Sequence, residues 1–567
     1  MTDIYEERIW LKLYPKNYPP DFQAPFASAI DLFEESASNF SQAPALHYFD
    51  GTLTYGELNL LAKRMAAGLA SLGVEKGDRV VIQLQNIPQY LISLYAIWKR
   101  GGIAVGLNPM YKERELEFYF NDSGAKVIIT MQSCYPEVKG LLGKTALKSI
   151  ITTSELDFLS STHPLPNILK TSPRGKIPET IDFIDILDQY RGNDLPPLKV
   201  TPQDIAYLTY TSGTTGPPKG AMNTHGNIVF CAHVYHLACH FNRTDKVLAV
   251  APFFHVTGAI GHLAVASLLG IPVIAFFRFE AAEVLRLIEK WQASMIVAPL
   301  TVYVALLEHP DFKKRNISSL TKVLSGGAPV PRAFVERFEQ ASKVYIHNWY
   351  GLTETTSPCI ITPLGMRSPV DSATEALSVG LPIPGSVVKV HDAQTGVVLP
   401  AGKVGEIVAK GPMVVPGYWN NPAETAKAIK DGWLFTGDVG KMDEKGWFYI
   451  VDRKKDLINV SGYKVWPRDV EDVLYQHPAV REACVIGVPD AYRGETVKAL
   501  VTLREKYPGK VTSEELIEFC KQKMAAYKYP RIVEIVSDFP KTLSGKIMKR
   551  QLREEEAEKV RSSKSEK

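Results

Sequence analysis

The sequence predicts an α/β protein, with a large N-terminal domain of layered α/β subdomains and a small β-rich subdomain, followed by a small α+β C-terminal domain. Three observations predict it. Helical patterns alternate with short apolar runs that read as strands, short strands separated by glycine and proline turns fill the stretch from Val379 to Trp419, and a compact set of helices and strands starts again beyond about residue 456. At 567 residues and 45% apolar composition the chain can bury several cores, so more than one domain is expected.

Taken in order, residues 55–72 carry a helical pattern, and 79–84, 104–107, 126–129 and 149–152 read as strands of a parallel sheet. The polar stretch 170–198, punctuated by Pro173, Pro178, Pro196 and Pro197, reads as a surface excursion before an apolar strand at 205–208. A helix is expected from Asn227. Residues 256–277 are uncharged and long enough to cross a bilayer. Gly258, Gly261, Gly270 and Pro272 instead divide them into a helix and a strand, and they lack a basic flank or aromatic belt, so they read as buried. Another strand is expected at 322–324, with C-terminal helices at 469–477 and 513–524. The charged tail after Leu552 is expected to fray.

Net charge is +4, from 65 basic and 61 acidic side chains, too balanced for a nucleic-acid partner; small molecules fit better. The six cysteines contain no CxxC pair, so neither a disulfide framework nor a zinc ribbon is expected, and a reducing cytoplasm is the default. The first residues, MTDIYEERIW, lack a secretory signal, and export is not expected.

The densest chemical signal is residues 210–222, YTSGTTGPPKGAM. Gly213, Gly216 and Gly220 let the backbone bend closely around a ligand, Thr211, Ser212, Thr214 and Thr215 offer hydroxyls, and Lys219 adds a positive charge. Successive N–H groups in such a turn form an anion nest, which suits a polyphosphate. The pattern is not GxxxxGK[ST]: two prolines precede the lysine, and Gly220 stands where a metal-binding hydroxyl belongs. Further on, 345–357 reads YIHNWYGLTETTS, 325–329 reads SGGAP, 435–439 reads FTGDV, 449–467 reads YIVDRKKDLINVSGYKVWP and 540–550 reads PKTLSGKIMKR.

Together and in this order these motifs resemble those of the adenylate-forming superfamily, the acyl-CoA synthetases, luciferases and adenylation domains, most like a fatty-acid–CoA ligase. The resemblance covers practically the whole chain. It implies an adenylation domain at 1–454, with the β-rich subdomain at about 379–450, and a mobile lid domain at 455–567 hinged at Lys455. It implies adenine and ribose contacts at Gly326, Gly327, Ala328, Pro329, Tyr350, Gly351, Asp438 and Arg453. Thr353 matches a hydroxyl on the α-phosphate and Glu354 a Mg2+ carboxylate, consistent with a hard cation that uses few carboxylates. Lys546 falls at the catalytic lysine of acyl-adenylate formation. Ser461 and Gly462 match a CoA tunnel, and Thr211 to Gly216 with Lys219 match the ATP phosphate loop. His255, Val256 and Gly258 match the acyl pocket.

The implied activity is ATP-dependent ligation of a medium- or long-chain fatty acid to CoA through acyl-AMP, in the cytoplasm. ATP, CoA and the acid are the implied partners, with peripheral membrane contact and a homodimer left open. Rival readings are an aryl-acid CoA ligase, a ligase loading a carrier protein, and a non-catalytic nucleotide-binding protein of the same fold. His233, His236 and His240 share a helical face, which leaves a zinc site to be weighed against an ordinary packed face.

Overall fold

The computed structural model describes residues 4–159, 167–173, 175–193, 195–196, 198–211, 217–328, 330–371, 376–392, 394–453, 456–461, 463–490, 493–507, 509–542 and 545–565, with the backbone alone at 453 and 560–565. Two large sheets form the body. One has seven strands in the order Ile181–Asp182, Ser149–Thr153, Val127–Met131, Arg79–Gln83, Ile103–Gly106, Ile205–Tyr210, Gly220–Thr224, parallel except for the last hairpin. The other has nine, with parallel strands Ile346–Leu352, Lys322–Ser325, Met295–Ala298, Val247–Leu248, Val273–Ala275 and Pro44–Tyr48 at its centre and antiparallel strands at both ends. Helices cover these sheets, so strands such as Val127–Met131 are buried along their whole length and read as nearly continuous apolar runs.

Local signals start the helices. Thr54 and Glu57 form a capping box ahead of Tyr55–Ser71, and Thr224 and Asn227 form one ahead of His225–Cys239. The stretch 170–198 departs from the expected surface excursion. It contains the strand Ile181–Asp182 and the helix Phe183–Gln189, whose Phe183, Ile186 and Leu187 are buried in the main core. Helix Tyr55–Ser71 comes so close that a Cβ on Gly68 would stand 2.3 Å from Ile186. Three buried apolar residues in a seven-residue helix are too few to show against the surrounding prolines.

The uncharged stretch from 256 divides as the glycines require, into Val256–Gly258, a π-helical turn Ala259–Ala264, the helix Val265–Leu269 and the strand Val273–Ala275. No helix of the described residues is long and apolar enough to cross a membrane. The antiparallel five-stranded sheet holds Val387–His391, Gly405–Lys410, Ile429–Lys430, Trp433–Met442 and Phe448–Arg453, whereas Leu381–Pro382 pairs into the nine-stranded sheet. After residue 456 a separate sheet of Ile458–Val460, Tyr463–Val465, Val480–Asp490, Gly494–Leu503 and Ile532–Ile535 closes over its own core of Val465, Val470, Leu474, Val485, Val501 and Leu516. A helix runs Lys549–Ser565, with Leu552 buried against Cys484, Ile486 and Phe539; residues 566 and 567, at the end expected to fray, lie outside the described residues.

Candidate active site

The candidate groups gather where parallel strands end, the position in which open α/β sheets bind ligands. Lys322–Ser325 runs into the turn at Gly326 and Gly327, and Ile346–Leu352 runs into the short 3-10 turn Thr353–Thr355. Ile205–Tyr210 leads into the loop expected to bind phosphates. The stems of that loop are joined by Thr211 N–H donating to Lys219 O at 2.9 Å and Lys219 N–H to Thr211 Oγ1 at 3.3 Å. Ser212, Gly213, Thr214, Thr215, Gly216, Pro329, Lys455 and Gly462 lie outside the described residues.

The backbone around Glu354 is strained and held from several sides. Thr356 and Ser357 have φ of 50° and 101°, regions that non-glycine residues avoid and that cost about 1–3 kcal/mol each. Asn223 donates to Thr356 Oγ1 at 3.0 Å, Tyr235 and Ser357 share a hydrogen bond of 2.9 Å, and Thr355 Oγ1 donates to Ser357 O at 2.8 Å. Gly351 is obligatory in this turn, since a Cβ there would stand 1.8 Å from Ser357 O. The backbone at Thr353 is held as well, with Asn223 Nδ2 donating to Thr353 O at 3.4 Å.

Tyr418, which the sequence reading does not single out, donates to Glu354 Oε1 at 2.6 Å. Burial and then the Glu354 charge push its phenol well above the ordinary range, so it remains a donor. The same ring carries the Lys219 ammonium 4.6 Å from its centroid, and Lys219 also pairs with Glu424 at 3.1 Å. The Tyr418 segment is bound to the strand after the phosphate loop, through a bridge to Ala221 and a 2.7 Å bond from Trp419 N–H to Gly220 O. Loop lysine and carboxylate therefore meet on one tyrosine.

Among the residues expected to contact adenine and ribose, Tyr350 donates to Asp438 Oδ2 at 2.8 Å. Burial, then the Asp438 charge, raises the Tyr350 phenol and keeps it protonated. Asp438 faces Arg453 in the register of the antiparallel sheet. Gly326 passes beneath strand Ile346–Leu352, a Cβ there standing 3.0 Å from Trp349 O; Ala328 is half-buried beside it. Gly327 has φ of 81°, and a Cβ on it would lie 2.7 Å from Lys546 Cε and 3.0 Å from Lys546 Nζ. The C-terminal domain thus brings Lys546 to the Gly327 turn. Thr301 Oγ1 donates to Gly545 O at 2.9 Å and holds it there.

His255 caps the short helix Val256–Gly258 by accepting the Thr257 N–H at 3.2 Å. Loss of hydration, then the Lys546 charge, pushes its imidazole down to about 3, so it is neutral. Val256 is buried, and Gly258 has no room for a side chain, a Cβ there lying 2.1 Å from Pro252 O. Asn86, also unforeseen, clamps this segment by donating to Ala249 O and Ala251 O and accepting the Phe253 N–H at 2.8 Å. Gly261 packs on the Tyr235 hydroxyl, so the apolar wall beginning at His255 is continuous with the scaffold around Ser357.

Ser461 lies elsewhere. It is exposed on the C-terminal domain with φ of 52°, lining a cavity of about 220 Å³ with Tyr463, Arg493, Tyr527 and Arg531, and none of the Gly326 turn lines that cavity. The histidine face is engaged differently from a metal site. His233 Nδ1 bonds Val229 O at 2.9 Å with its ring against Phe22 and Phe26, and His240 ends the helix with φ of 48°. Among the described residues no group of three or more His, Cys, Asp or Glu could hold a metal ion. Glu354 by itself fits Mg2+, which takes most of its ligands from phosphates and water.

The chain is similar to known proteins over most of its length. The long-chain-fatty-acid–CoA ligase of Bacillus subtilis is 37% identical over 570 residues, spanning 98% of this chain and 99% of that protein. A feruloyl-CoA synthase from Amycolatopsis sp is 34% identical over 515 residues, 90% of this chain and 95% of that protein. The crystal structure of an anthranilate CoA ligase with anthranoyl-AMP superposes with a TM-score of 0.84 at 28% identity, covering 94% of this chain and 99% of that one. The model of the AMP-binding enzyme matches residues 33–419 and that of the AMP-binding enzyme C-terminal domain matches 469–546, and the chain belongs to this family.

Proposed function

We propose that the chain is an ATP-dependent acid–thiol ligase that converts a medium- or long-chain fatty acid to its CoA thioester through acyl-AMP. The observation that supports the reading is Lys546 of the C-terminal domain lying against the Gly327 turn and adding to the burial that lowers His255, with the strand before that turn paired to the strand that carries Tyr350, bonded to Asp438, and runs into Glu354. The acid carboxylate attacks the α-phosphorus of ATP and pyrophosphate leaves; CoA sulfur then attacks the acyl carbon and AMP leaves. Lys546 stabilises the charge that grows on the α-phosphate and carboxylate oxygens in the first step. Thr353 and the Thr211–Lys219 loop hold phosphates, while Tyr350 and Asp438, with Arg453, hold adenine and ribose. Glu354 would hold Mg2+, which when bound screens the charge of the phosphates.

Neutral His255 and the buried wall of Val256, Ile260 and Leu263 suit an uncharged, apolar acyl group. The second step requires the lid domain, 455–567, to turn about Lys455 and bring Ser461 and Gly462 to the site. The similarity to a long-chain-fatty-acid–CoA ligase across nearly the whole chain supports an alkyl acid. The similarity to a feruloyl-CoA synthase supports an aryl acid as the second reading. Release of AMP, assayed with and without CoA over short, medium and long fatty acids, benzoate and coumarate, decides between them. Turnover of every aliphatic acid at background level removes the fatty-acid reading. CoA-independent accumulation of acyl-AMP, discharged only by a carrier protein, removes CoA as acceptor.

A further inference from the structure

Lys546 stands in a tight turn. Thr542 N–H donates to Lys546 O at 2.8 Å, Lys546 N–H to Thr542 Oγ1 at 3.1 Å, and Lys541 bridges to Ile547 across the base. These bonds tie Thr542 to Lys546 but do not set the direction of the two stems, and that direction decides whether the ammonium reaches Gly327. Two carboxylates outside the turn set it. Lys541, on the incoming stem, pairs with Glu482 at 2.8 Å, and Lys549, on the outgoing stem, pairs with Glu471 at 2.8 Å.

Strand alternation explains how Glu482 comes to be there. Along Val480–Asp490 the residues Glu482, Cys484, Ile486 and Val488 share one face, and Cys484, Ile486 and Val488 pack with Phe539 and Ile547, which flank the turn. Glu482 is the charged member of an otherwise apolar row, with 2% of its side chain exposed, and its Oε1 has no partner among the described residues. A buried carboxylate is costly, and an apolar pair of the same volume would hold the domain together as well or better. Its value lies in direction: a charged hydrogen bond constrains Lys541 more narrowly than an apolar contact does. Glu471, in Pro467–Tyr475, also accepts the Val485 N–H at 2.8 Å, so both anchors are tied to the same strand. Lys541 has a second, looser contact with Asp538 at 3.3 Å, which is two-thirds exposed.

We infer that Glu482 is a positioning residue for acyl-adenylate formation: through Lys541, and with Glu471 and Lys549 as the second anchor, it aims the Lys546 turn at Gly327. This rests on the reading of Lys546 as the adenylation lysine. In the thioester-forming step Lys546 has no such task, so the two half-reactions should separate.

The test measures both half-reactions in full-length Glu482→Gln, Lys541→Met and the double variant: pyrophosphate release with ATP and acid, and thioester formation from supplied acyl-AMP and CoA. Melting temperatures are recorded alongside. A misaimed group costs about 10- to 100-fold in rate. The expected result is a loss of that size in acyl-adenylate formation in each single variant, no further loss in the double variant, thioester formation within about two-fold of the parent, and Lys541→Arg close to the parent. The KM for ATP should stay near the parent value, since the anchors touch no nucleotide. Equal losses in both half-reactions, or no loss in either, overturn the inference. Lys541→Met changes a part-exposed side chain, so its folded state remains testable if Glu482→Gln does not fold. A parent protein that releases no pyrophosphate with any acid would instead overturn the proposed function, which keeps the two failures apart.

Discussion

Tyr418 and Glu354 are joined by a 2.6 Å hydrogen bond, and the tyrosine ring also supports the Lys219 ammonium on its face. A carboxylate that is to hold Mg2+ must present its free oxygen in a fixed direction, and partners of metal ligands commonly contribute 10- to 100-fold to metal affinity. Tyr418→Phe removes the donor and keeps the ring under Lys219. The expected outcome is an increase of about 10-fold in the Mg2+ concentration giving half-maximal ATP binding. Titration of bound nucleotide against Mg2+ reads it directly, and an unchanged midpoint would show that the phenol does not orient Glu354.

Gly327 combines a left-handed φ of 81° with the close approach of Lys546, 2.7 Å from an added Cβ to Cε. An alanine there is strained, and its methyl displaces the movable end of a lysine rather than backbone. Gly327→Ala should therefore lower acyl-adenylate formation by at least about 10-fold, the size of effect a displaced catalytic group produces. Thioester formation from supplied acyl-AMP should stay near the parent rate. Comparable losses in both steps would place the damage in the fold instead.

The orientation of the two domains has its own contacts. Glu308, at the end of helix Leu300–Glu308, pairs with Arg504 of the C-terminal domain at 3.5 Å, while Thr301 at the other end holds Gly545. Both ends of one helix thus meet the domain that carries Lys546. Part-exposed ion pairs contribute about 0.2–1 kcal/mol, so Arg504→Glu should slow acyl-adenylate formation by about two- to five-fold. Single-turnover pyrophosphate release checks this, and an unaffected rate would mean that Glu308 has no part in docking.

Much of the scaffold was legible because its signals are local. Thr54 and Glu57 announce a helix three residues apart, and the dense Gly, Thr and Lys composition of 210–222 announces a loop. Gly327 and Lys546 were legible only as members of motifs in a familiar order; nothing local to either says that they touch. Tyr418 stands 64 positions from the Glu354 it bonds, and Lys541 59 positions from Glu482. A lone tyrosine in VVPGYW or a lone glutamate in a strand has no periodicity that marks its partner. The helix Phe183–Gln189 was hidden for another reason: its three buried residues matter through Gly68 and the core they enter, not through the polar sequence around them.

Three histidines make stability depend on pH. His225 accepts the Ala29 N–H at 3.2 Å, His255 the Thr257 N–H and His262 the Ala251 N–H at 3.2 Å, so the accepting nitrogen of each is unprotonated. Burial pushes His225 down to about 4; burial, with the Lys546 charge, pushes His255 to about 3; and burial pushes His262 to about 3. In the unfolded chain each takes a proton below about 6.5. Between that value and the folded ones the unfolded state binds more protons, so this contribution is fully present above about pH 6.5 and is lost as pH falls toward 3–4. Urea midpoints measured from pH 7.5 down to 4.5 should fall steadily. His225→Gln removes one titrating group, and its amide can still accept the Ala29 N–H, so its midpoints should fall less steeply than the parent's over the same range. Parallel slopes would mean that His225 is already protonated in the folded protein.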